Sequence, residues 1–364
     1  MAQPGRVATI MTGSSTRTLS LTVAILLALS AAQVAAGEAS DVALCNISLT
    51  HKSPHRNKPL PGHYISMNRF DTESDLEKAI KPGVTGLQIR YRWSDLEPEL
   101  DTYDLAKIAA DLKIASSNKV QLVVFIEDKS FNEEPPTPPY LQVKFTLANR
   151  AGGYTAMRWA PYVIERMNKL VAEIGRNFDC QPSFEGVAFQ ESALSLEDNV
   201  LDANGYTAEK YRDALINVLQ SAAASLPQSQ VFWYMNFLPR NQRYIADIAN
   251  VVAESGVAMG GPDILPDNRA LTKNTYPFYT QFSDKMTLFN SIQYNSFAHP
   301  KLTTSLSDNK YWTLEELFVY ARDELHVNYI FWNRKTWRRP KDSFDWTDAL
   351  PVIRENPVFN QKKH

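Results

Sequence analysis

Several carboxyl side chains in this sequence come directly after short apolar runs, at positions where a buried strand would end. Glu191 follows apolar residues 187–189, Glu127 and Asp128 follow another apolar run, and Asp263 follows a Gly-Gly-Pro tripeptide. A carboxyl between an apolar strand and a pocket loses part of its hydration, which raises its pKa towards the operating pH. Such groups can exchange protons near neutral pH, so the pattern indicates general acid–base chemistry.

The segments that must position these carboxyls alternate between strand and helix. Eight short apolar runs are typical of strands buried on both faces of a parallel sheet. The predicted strands are residues 64–67, 86–90, 120–126, 184–189, 231–236, 256–259, 288–294 and 328–332. The predicted helices are residues 71–80, 105–115, 161–178, a helix capped by Thr207, and residues 241–255, 272–284, 314–325 and 346–354. Eight such units predict a single (β/α)8 TIM barrel of the α/β class, with an open doubly wound sheet as the alternative.

Two segments resemble the large superfamily of retaining (β/α)8 glycoside hydrolases. Residues 93–98, Trp-Ser-Asp-Leu-Glu-Pro, followed by Tyr103 and Asp104, are similar to the W..LEP..G.YD passage after the second strand in that superfamily. Residues 159–191 resemble the helix and fourth strand that end there in an Asn-Glu pair. The resemblance implies a carbohydrate-active enzyme with catalytic carboxylates at the ends of strands four and seven.

Glycosidic bond cleavage explains why carboxyls belong at these positions. One carboxylic acid protonates the leaving oxygen, and a second carboxylate acts as a nucleophile or activates water. The resemblance makes Glu191 the candidate general acid/base, and Gln190 stands where the superfamily usually has Asn. The alternative for Glu191 is a surface glutamate in a strand-to-helix loop.

The second carboxylate is absent from the position that the resemblance implies. Residues 291–296, Ser-Ile-Gln-Tyr-Asn-Ser, contain no carboxylate at the end of the seventh strand. The candidate substitutes are Asp263, on a Gly-Gly-Pro turn that would let the backbone approach a ligand closely, and the pair Glu127 and Asp128. Each has a structural alternative, because Asp263 could cap the loop that follows it and Asp128 could pair with Lys129 or Arg92.

Aromatic and polar side chains near the strand ends are the candidate sugar-binding groups. Aromatic rings pack against the apolar C–H faces of pyranoses, and the resemblance implies that Trp332 floors the sugar-binding subsite. The predicted substrate-binding residues are Trp93, Gln190, Arg90, Arg92, Tyr294, Trp332 and Asn333. The alternative for each tryptophan is a place in the core.

The N-terminal residues predict a signal peptide over residues 1–36, followed by the barrel domain over residues 37–364. Two arginines accompany an apolar run at residues 19–29, and a Val-Ala-Ala tripeptide at residues 34–36 resembles a signal peptidase site. The apolar run is shorter than a membrane-spanning helix requires, although an N-terminal anchor is the alternative. The expected location is therefore secreted or periplasmic, without membrane contact after cleavage.

Composition narrows the classes of partner. Cys45 and Cys180 are the only cysteines, and in an oxidising compartment they are candidates for one disulfide, with two free thiols as the alternative. The formal net charge of −2 with interspersed signs argues against a nucleic-acid partner. The sequence has neither a zinc-site spacing nor a glycine-rich nucleotide loop, so no metal or cofactor is predicted. The expected partner is a carbohydrate.

Three functions remain open at this point. The first is a glycoside hydrolase that acts on a poly- or oligosaccharide, and the second is a non-catalytic carbohydrate-binding barrel that has lost its nucleophile. The third is a lyase or another hydrolase that uses His63, His299 or Lys129. A second carboxylate within roughly 5–10 Å of Glu191 would favour the first function, since retaining and inverting glycosidases span that range.

Overall fold

A closed barrel of eight parallel strands forms the centre of the protein. The structure, a computed structural model, describes residues 45, 58–293, 296, 312–334 and 345–361. Its strands are β1 (Gly62–Met67), β2 (Val84–Arg92), β3 (Gln121–Glu127), β4 (Thr146–Ala148), β5 (Tyr154–Ala156), β6 (Phe184–Phe189), β7 (Gln230–Tyr234), β8 (Ala258–Gly261), β9 (Leu288–Ile292) and β10 (Tyr329–Asn333). The barrel order is β1-β10-β9-β8-β7-β6-β3-β2, and β4 pairs with β5 in a separate antiparallel hairpin. The predicted (β/α)8 barrel is confirmed, while the predicted signal peptide and Tyr294 lie outside the described residues.

Helices connect the barrel strands. They are α1 (Glu73–Ala79), α2 (Trp93–Leu96), α3 (Ala106–Ser117), α4 (Pro139–Phe145), α5 (Pro161–Phe178), α6 (Asp198–Ala203), α7 (Ala208–Ser225), α8 (Tyr244–Ala253), α9 (Arg269–Asn274), α10 (Pro277–Phe282), α11 (Leu314–Val319) and α12 (Leu350–Glu355). Thr207 caps α7 as predicted, because its hydroxyl accepts a hydrogen bond from the Lys210 backbone N–H at 3.1 Å. Pro277 divides the predicted helix over 272–284, since proline cannot continue an established helix. No helix in the described part of the chain is long and apolar enough to cross a membrane.

Aromatic rings fill the inside of the barrel. Successive side chains of a strand point to opposite faces, so every second residue points inward. A cluster that we call the aromatic floor consists of Tyr64, Phe232, Phe289, Tyr329 and Phe331, and all five side chains are buried. Their ring centroids lie 5.1–5.6 Å apart in contacts such as Phe232 with Tyr329 and Phe289 with Phe331. Edge-to-face packing of this kind gives a solid core below the C-terminal end of the barrel.

A disulfide joins Cys45 to Cys180, which confirms that candidate pairing. It links residue 45 to the turn between α5 and β6, across 135 residues of sequence. Such a bridge stabilises a protein mainly by restricting the unfolded chain, by about 2–4 kcal/mol.

We expect a variant with both cysteines replaced by serine to lose about 2–4 kcal/mol of unfolding free energy, because its unfolded chain regains that freedom. Chemical denaturation of both proteins measures the difference. Thiol titration of the denatured native protein without reductant should find no reactive group. Two titrated thiols would contradict the bridge.

Candidate active site

A cavity of about 240 Å³ opens at the C-terminal end of the barrel strands. (β/α)8 enzymes carry their active sites at this end, because the loops after the strands converge there. The cavity is lined by Arg90, Phe125, Phe131, Gln190, Glu191, Tyr234, Pro262, Asp263 and Gln293. Four residues predicted from the sequence, Arg90, Gln190, Glu191 and Asp263, therefore meet in one place.

The Glu191 carboxyl is held by two donors. The Lys129 Nζ lies 2.9 Å from Glu191 Oε1, and the Asn236 amide nitrogen donates to Oε2. The Lys129 side chain is fully buried and also donates to the Ala193 carbonyl at 2.8 Å. Burial lowers the pKa of Lys129, while the negative charge of Glu191 opposes that shift. The ion pair with Lys129 and the Asn236 amide donor thus fix both oxygens of the Glu191 carboxyl in the site.

Asp263 has the opposite environment. Among the described residues, its carboxyl has no hydrogen-bond donor, and only its backbone oxygen accepts a bond, from the Tyr276 hydroxyl at 3.1 Å. Burial raises the pKa of Asp263 from 3.8 to about 7, and repulsion from the Glu191 charge contributes to the same shift. Asp263, with its raised pKa, therefore faces the same cavity as Glu191, whose carboxyl is paired with Lys129. Two carboxyls in such different environments are suited to acid and base roles.

Gln293 lies at the end of β9, where the resemblance implies a catalytic carboxylate. Its side chain lines the cavity beside Glu191 and Asp263. An amide can donate and accept hydrogen bonds but cannot ionise at neutral pH. Among the described residues, no group of His, Cys, Asp and Glu side chains could hold a metal ion. Among the described residues that line this cavity, Glu191 and Asp263 are the ones with a carboxyl group.

The prediction of a Gly-Gly-Pro turn before Asp263 is wrong. Gly260 and Gly261 belong to strand β8, which extends two residues beyond its predicted end at Met259. A Cβ on Gly260 would lie 2.0 Å from the Phe289 carbonyl oxygen, so glycine is required by the neighbouring strand and not by a ligand. Asp263 lies two residues after the end of the strand, among the residues that line the cavity at this end of the barrel.

Glu127 and Asp128 lie in different surroundings although they are adjacent in sequence. Asp128 is buried and forms a bidentate pair with Arg158, with distances of 2.6 and 2.7 Å. Arg158 also donates to the backbone oxygen of Glu191 at 2.5 Å, so this pair positions the loop that carries Glu191. The partner of Asp128 is therefore Arg158, and not Lys129 or Arg92. This contact gives Asp128 a structural role instead of the predicted catalytic one. Glu127 instead accepts a hydrogen bond from Arg90 at 3.2 Å.

Neither predicted tryptophan reaches the cavity. Trp332 points away from the barrel axis, because Phe331 and Asn333 occupy the inward positions of β10, and its indole N–H donates to His63 Nδ1 at 3.0 Å. Trp93 is buried and donates to Glu97 at 2.9 Å. The sugar-stacking roles predicted for both residues are therefore corrected to core packing.

Other predicted residues line a second cavity of about 440 Å³ that adjoins the first. Arg90, Phe131 and Gln293 contribute to both cavities, whereas Arg92, Asn333 and Glu127 line the second. Arg90 and Arg92 both point into the barrel end, since they are two residues apart on β2.

The sequence reasoning missed Phe131, Asn236 and Gln293 as members of the site. Their signal was position alone, because each follows a barrel strand by a few residues. His63, proposed as an alternative catalytic group, lies in β1 and is buried against Trp332. Burial lowers the pKa of His63 to about 4. His299 lies outside the described residues.

Comparison with known proteins identifies the fold. No protein-family model and no curated protein matches this sequence. The β-galactosidase from Rahnella sp. R3 superposes with a TM-score of 0.51 at 10% identity, over 84% of this chain and 56% of that one. GH5_18 from Streptomyces cattleya, in complex with GlcNAc, gives 0.53 at 12% identity, over 82% and 79% of the two chains. The lactosyl-enzyme intermediate of endo-glycoceramidase II from Rhodococcus sp. gives 0.51 at 10% identity, over 82% and 78%.

This chain has a (β/α)8 barrel fold that is similar to the folds of these glycoside hydrolases. The resemblance in the sequence is thereby confirmed for the architecture. The chain spans little more than half the length of the Rahnella β-galactosidase, and at these identities the similarity concerns the fold alone.

Proposed function

We propose that this protein is a glycoside hydrolase acting on a poly- or oligosaccharide, with Asp263 and Glu191 as its two catalytic carboxyls. The observation that carries the proposal is the pair of carboxyls in one cavity, one with its pKa raised to about 7 by burial and one paired with a buried lysine. The sequence suggested Glu191 as the proton donor. Its contacts with Lys129 and Asn236 favour the carboxylate role, so we assign the proton donor role to Asp263.

The proposed reaction adds water across a glycosidic bond. The Asp263 hydroxyl protonates the leaving oxygen as the C–O bond breaks, and positive charge develops at the anomeric carbon. The Glu191 carboxylate either accepts a proton from the attacking water or attacks that carbon before water arrives. In the first route Glu191 ends protonated and Asp263 ionised, and proton exchange with solvent returns both groups to their starting states. In the second route the ionised Asp263 deprotonates the water that breaks the bond between the sugar and Glu191, which restores both carboxyls directly. Both routes end with two sugar hydroxyls. Lys129 and Asn236 hold the Glu191 carboxyl in position. Arg90 and Gln293 line the same cavity and can form hydrogen bonds with sugar hydroxyls.

We further propose that the protein acts outside the cytoplasm. The disulfide between Cys45 and Cys180 supports this, because such bonds persist mainly in oxidising compartments. The expected signal peptide over residues 1–36 remains a prediction.

A non-catalytic carbohydrate-binding barrel is the second candidate. Gln293 favours it, because an amide occupies the place where the resemblance implies a nucleophile. The fold itself accommodates both functions.

Assays on a broad glycan panel would separate the two candidates. We expect the native protein to release new reducing ends from at least one glycan, and a double Glu191→Gln, Asp263→Asn variant to release none above background. The measurement is reducing-end release with product analysis by mass spectrometry. If the native protein binds a glycan of the panel and never cleaves it, the non-catalytic candidate is correct.

A further inference from the structure

The second cavity, beside the catalytic one, is rich in guanidinium groups. Arg69, from the loop after β1, and Arg90 and Arg92, from the end of β2, line it, and we call these three residues the arginine subsite. Lys129 is a fourth cation in its wall, and Glu127 is the single acidic residue among the described lining residues. A cavity with this excess of positive charge attracts anions and focuses their approach.

Two of these arginines hold a carboxylate that belongs to an exposed loop. Glu134 accepts a hydrogen bond from Arg69 at 2.9 Å and a second bond from Arg92 to the same oxygen. The Glu134 side chain is 60% exposed, whereas those of Arg69 and Arg92 are 16% and 14% exposed. The guanidinium groups are thus largely buried parts of the cavity wall, while their carboxylate partner reaches them from the solvent side.

The other charges of the cavity have inner partners. Arg90 pairs with Glu127 at 3.2 Å, and Lys129 pairs with Glu191 at 2.9 Å. Within the described structure, the Arg92 Nε is buried and has no hydrogen-bond partner. Arg69 also lies 3.9 Å from the inner carboxylate of Glu127, whereas Arg92 pairs with Glu134. Glu134 is the most exposed carboxylate partner of these cations and therefore the easiest to exchange.

Exposed aromatic rings flank the same cavity. Phe131 is 58% exposed and Phe70 is 72% exposed, and both line it. The Lys129 ammonium group lies 4.8 Å from the Phe131 centroid, and the Arg69 guanidinium lies 4.2 Å from the Phe70 centroid. Exposed rings next to a catalytic cavity can cover the apolar C–H face of a sugar ring.

We propose that Arg69 and Arg92 bind the carboxylate of a uronic acid residue in the substrate, and that Glu134 occupies this place in the free protein. The proposal deepens the function proposed above, because the arginine subsite adjoins the cavity of Glu191 and Asp263. An acidic glycan would displace Glu134, place its carboxylate on the guanidinium groups and rest a sugar ring against Phe131. A carboxylate is favoured over a sulfate, since the site already accommodates one.

Binding measurements test this proposal without requiring turnover. The ligands are polygalacturonate, alginate and hyaluronan, each compared with its carboxyl-reduced form, together with a sulfated neutral galactan. We expect the native protein to bind at least one carboxylate form about tenfold more tightly than its reduced counterpart, as charged hydrogen bonds of this kind provide. Isothermal titration calorimetry gives each dissociation constant.

Three variants identify the residues responsible. In an Arg69→Gln, Arg92→Gln variant the preference for the carboxylate form should disappear. In Glu134→Gln the affinity should rise several-fold, because the internal competitor loses its charge. An Arg354→Gln variant, which changes an exposed arginine on α12, should bind as the native protein does.

The direction in which Glu134→Gln changes uronate affinity shows whether Glu134 competes with the ligand or supports the arginines. If Glu134 only held the arginines in place, its replacement would weaken uronate binding, and that result would overturn the proposal. Equal binding of the carboxylate and reduced forms, or equal binding of the sulfated galactan, would also overturn it. Repeating the titrations with the double Glu191→Gln, Asp263→Asn variant separates this question from hydrolysis. Uronate preference in a native protein that cleaves none of the glycans would leave the subsite intact and reject the proposed catalysis.

Discussion

Replacing Asp263 by Asn is expected to lower glycoside turnover by about 100-fold or more, the usual effect of removing a positioned proton donor. An asparagine at this position fills the same space but cannot protonate the leaving oxygen. Turnover by the native protein should also decrease as the pH rises through about 7, because the Asp263 pKa is raised to about 7 and the acid then loses its proton. The measurement is kcat/KM against pH for both proteins.

The same variant should be more stable than the native protein at alkaline pH. The Asp263 pKa is 3.8 as an ordinary group and about 7 in the folded protein, so the folded state binds a proton more tightly than the unfolded state. The stability that this proton provides is complete below about pH 4 and is lost as the pH rises to about 7. The asparagine side chain would carry no charge to bury, so the gain in unfolding free energy should grow over that interval to about 1–3 kcal/mol.

Urea unfolding of both proteins at pH 5 and pH 8 measures this gain. An Asp284→Asn variant is the matched control, because Asp284 is exposed, and it should change neither turnover nor the pH dependence of stability. A native turnover that stays level from pH 6 to pH 9 would contradict the assignment of Asp263 as the proton donor.

Replacing Glu191 by Gln should also lower turnover by about 100-fold or more, since the amide supplies neither a base nor a nucleophile. This change has a second effect that Asp263→Asn lacks. Lys129 would remain buried without its carboxylate partner, and an unpaired buried charge costs about 3–5 kcal/mol. Assays of kcat and thermal unfolding on the same preparation measure the two effects.

A second substitution separates chemistry from stability. Adding Lys129→Met to Glu191→Gln removes the stranded ammonium group, so stability should recover while turnover stays low. Glu197→Gln is the control, because Glu197 is an exposed glutamate in the same loop and should tolerate the change. Full turnover in the Glu191→Gln variant would show that Glu191 has no part in the reaction.

The barrel could be predicted because its strands are buried on both faces. Such strands appear as continuous apolar runs, and the run at Phe184–Phe189 matches β6 at both ends. Hairpin β4–β5 was missed, since strands of three residues are too short to show a periodicity. Its position depends on contacts with distant residues, such as the bond from the Ser130 backbone N–H to the Tyr154 carbonyl at 2.8 Å.

The site was predicted in part because the loops after barrel strands share one end. This argument located Glu191 and Asp263, but it could not tell which neighbour points inward. At the end of β10, for example, Asn333 points into the barrel and its neighbour Trp332 points outward. The sequence does not show which of the two points inward, because a shift of one residue exchanges the two faces of a strand. The pair of Asp128 with Arg158 joins residues 30 positions apart, and no local pattern predicts it.

The aromatic floor limits how a substrate can enter and leave the site. Tyr64, Phe232, Phe289, Tyr329 and Phe331 fill the barrel from wall to wall, and none of them is exposed. If the proposed function is correct, a sugar in the cavity cannot pass through the barrel and must leave by the opening through which it entered. Product and substrate then use the same opening, so we expect accumulated product to inhibit turnover by occupying the cavity.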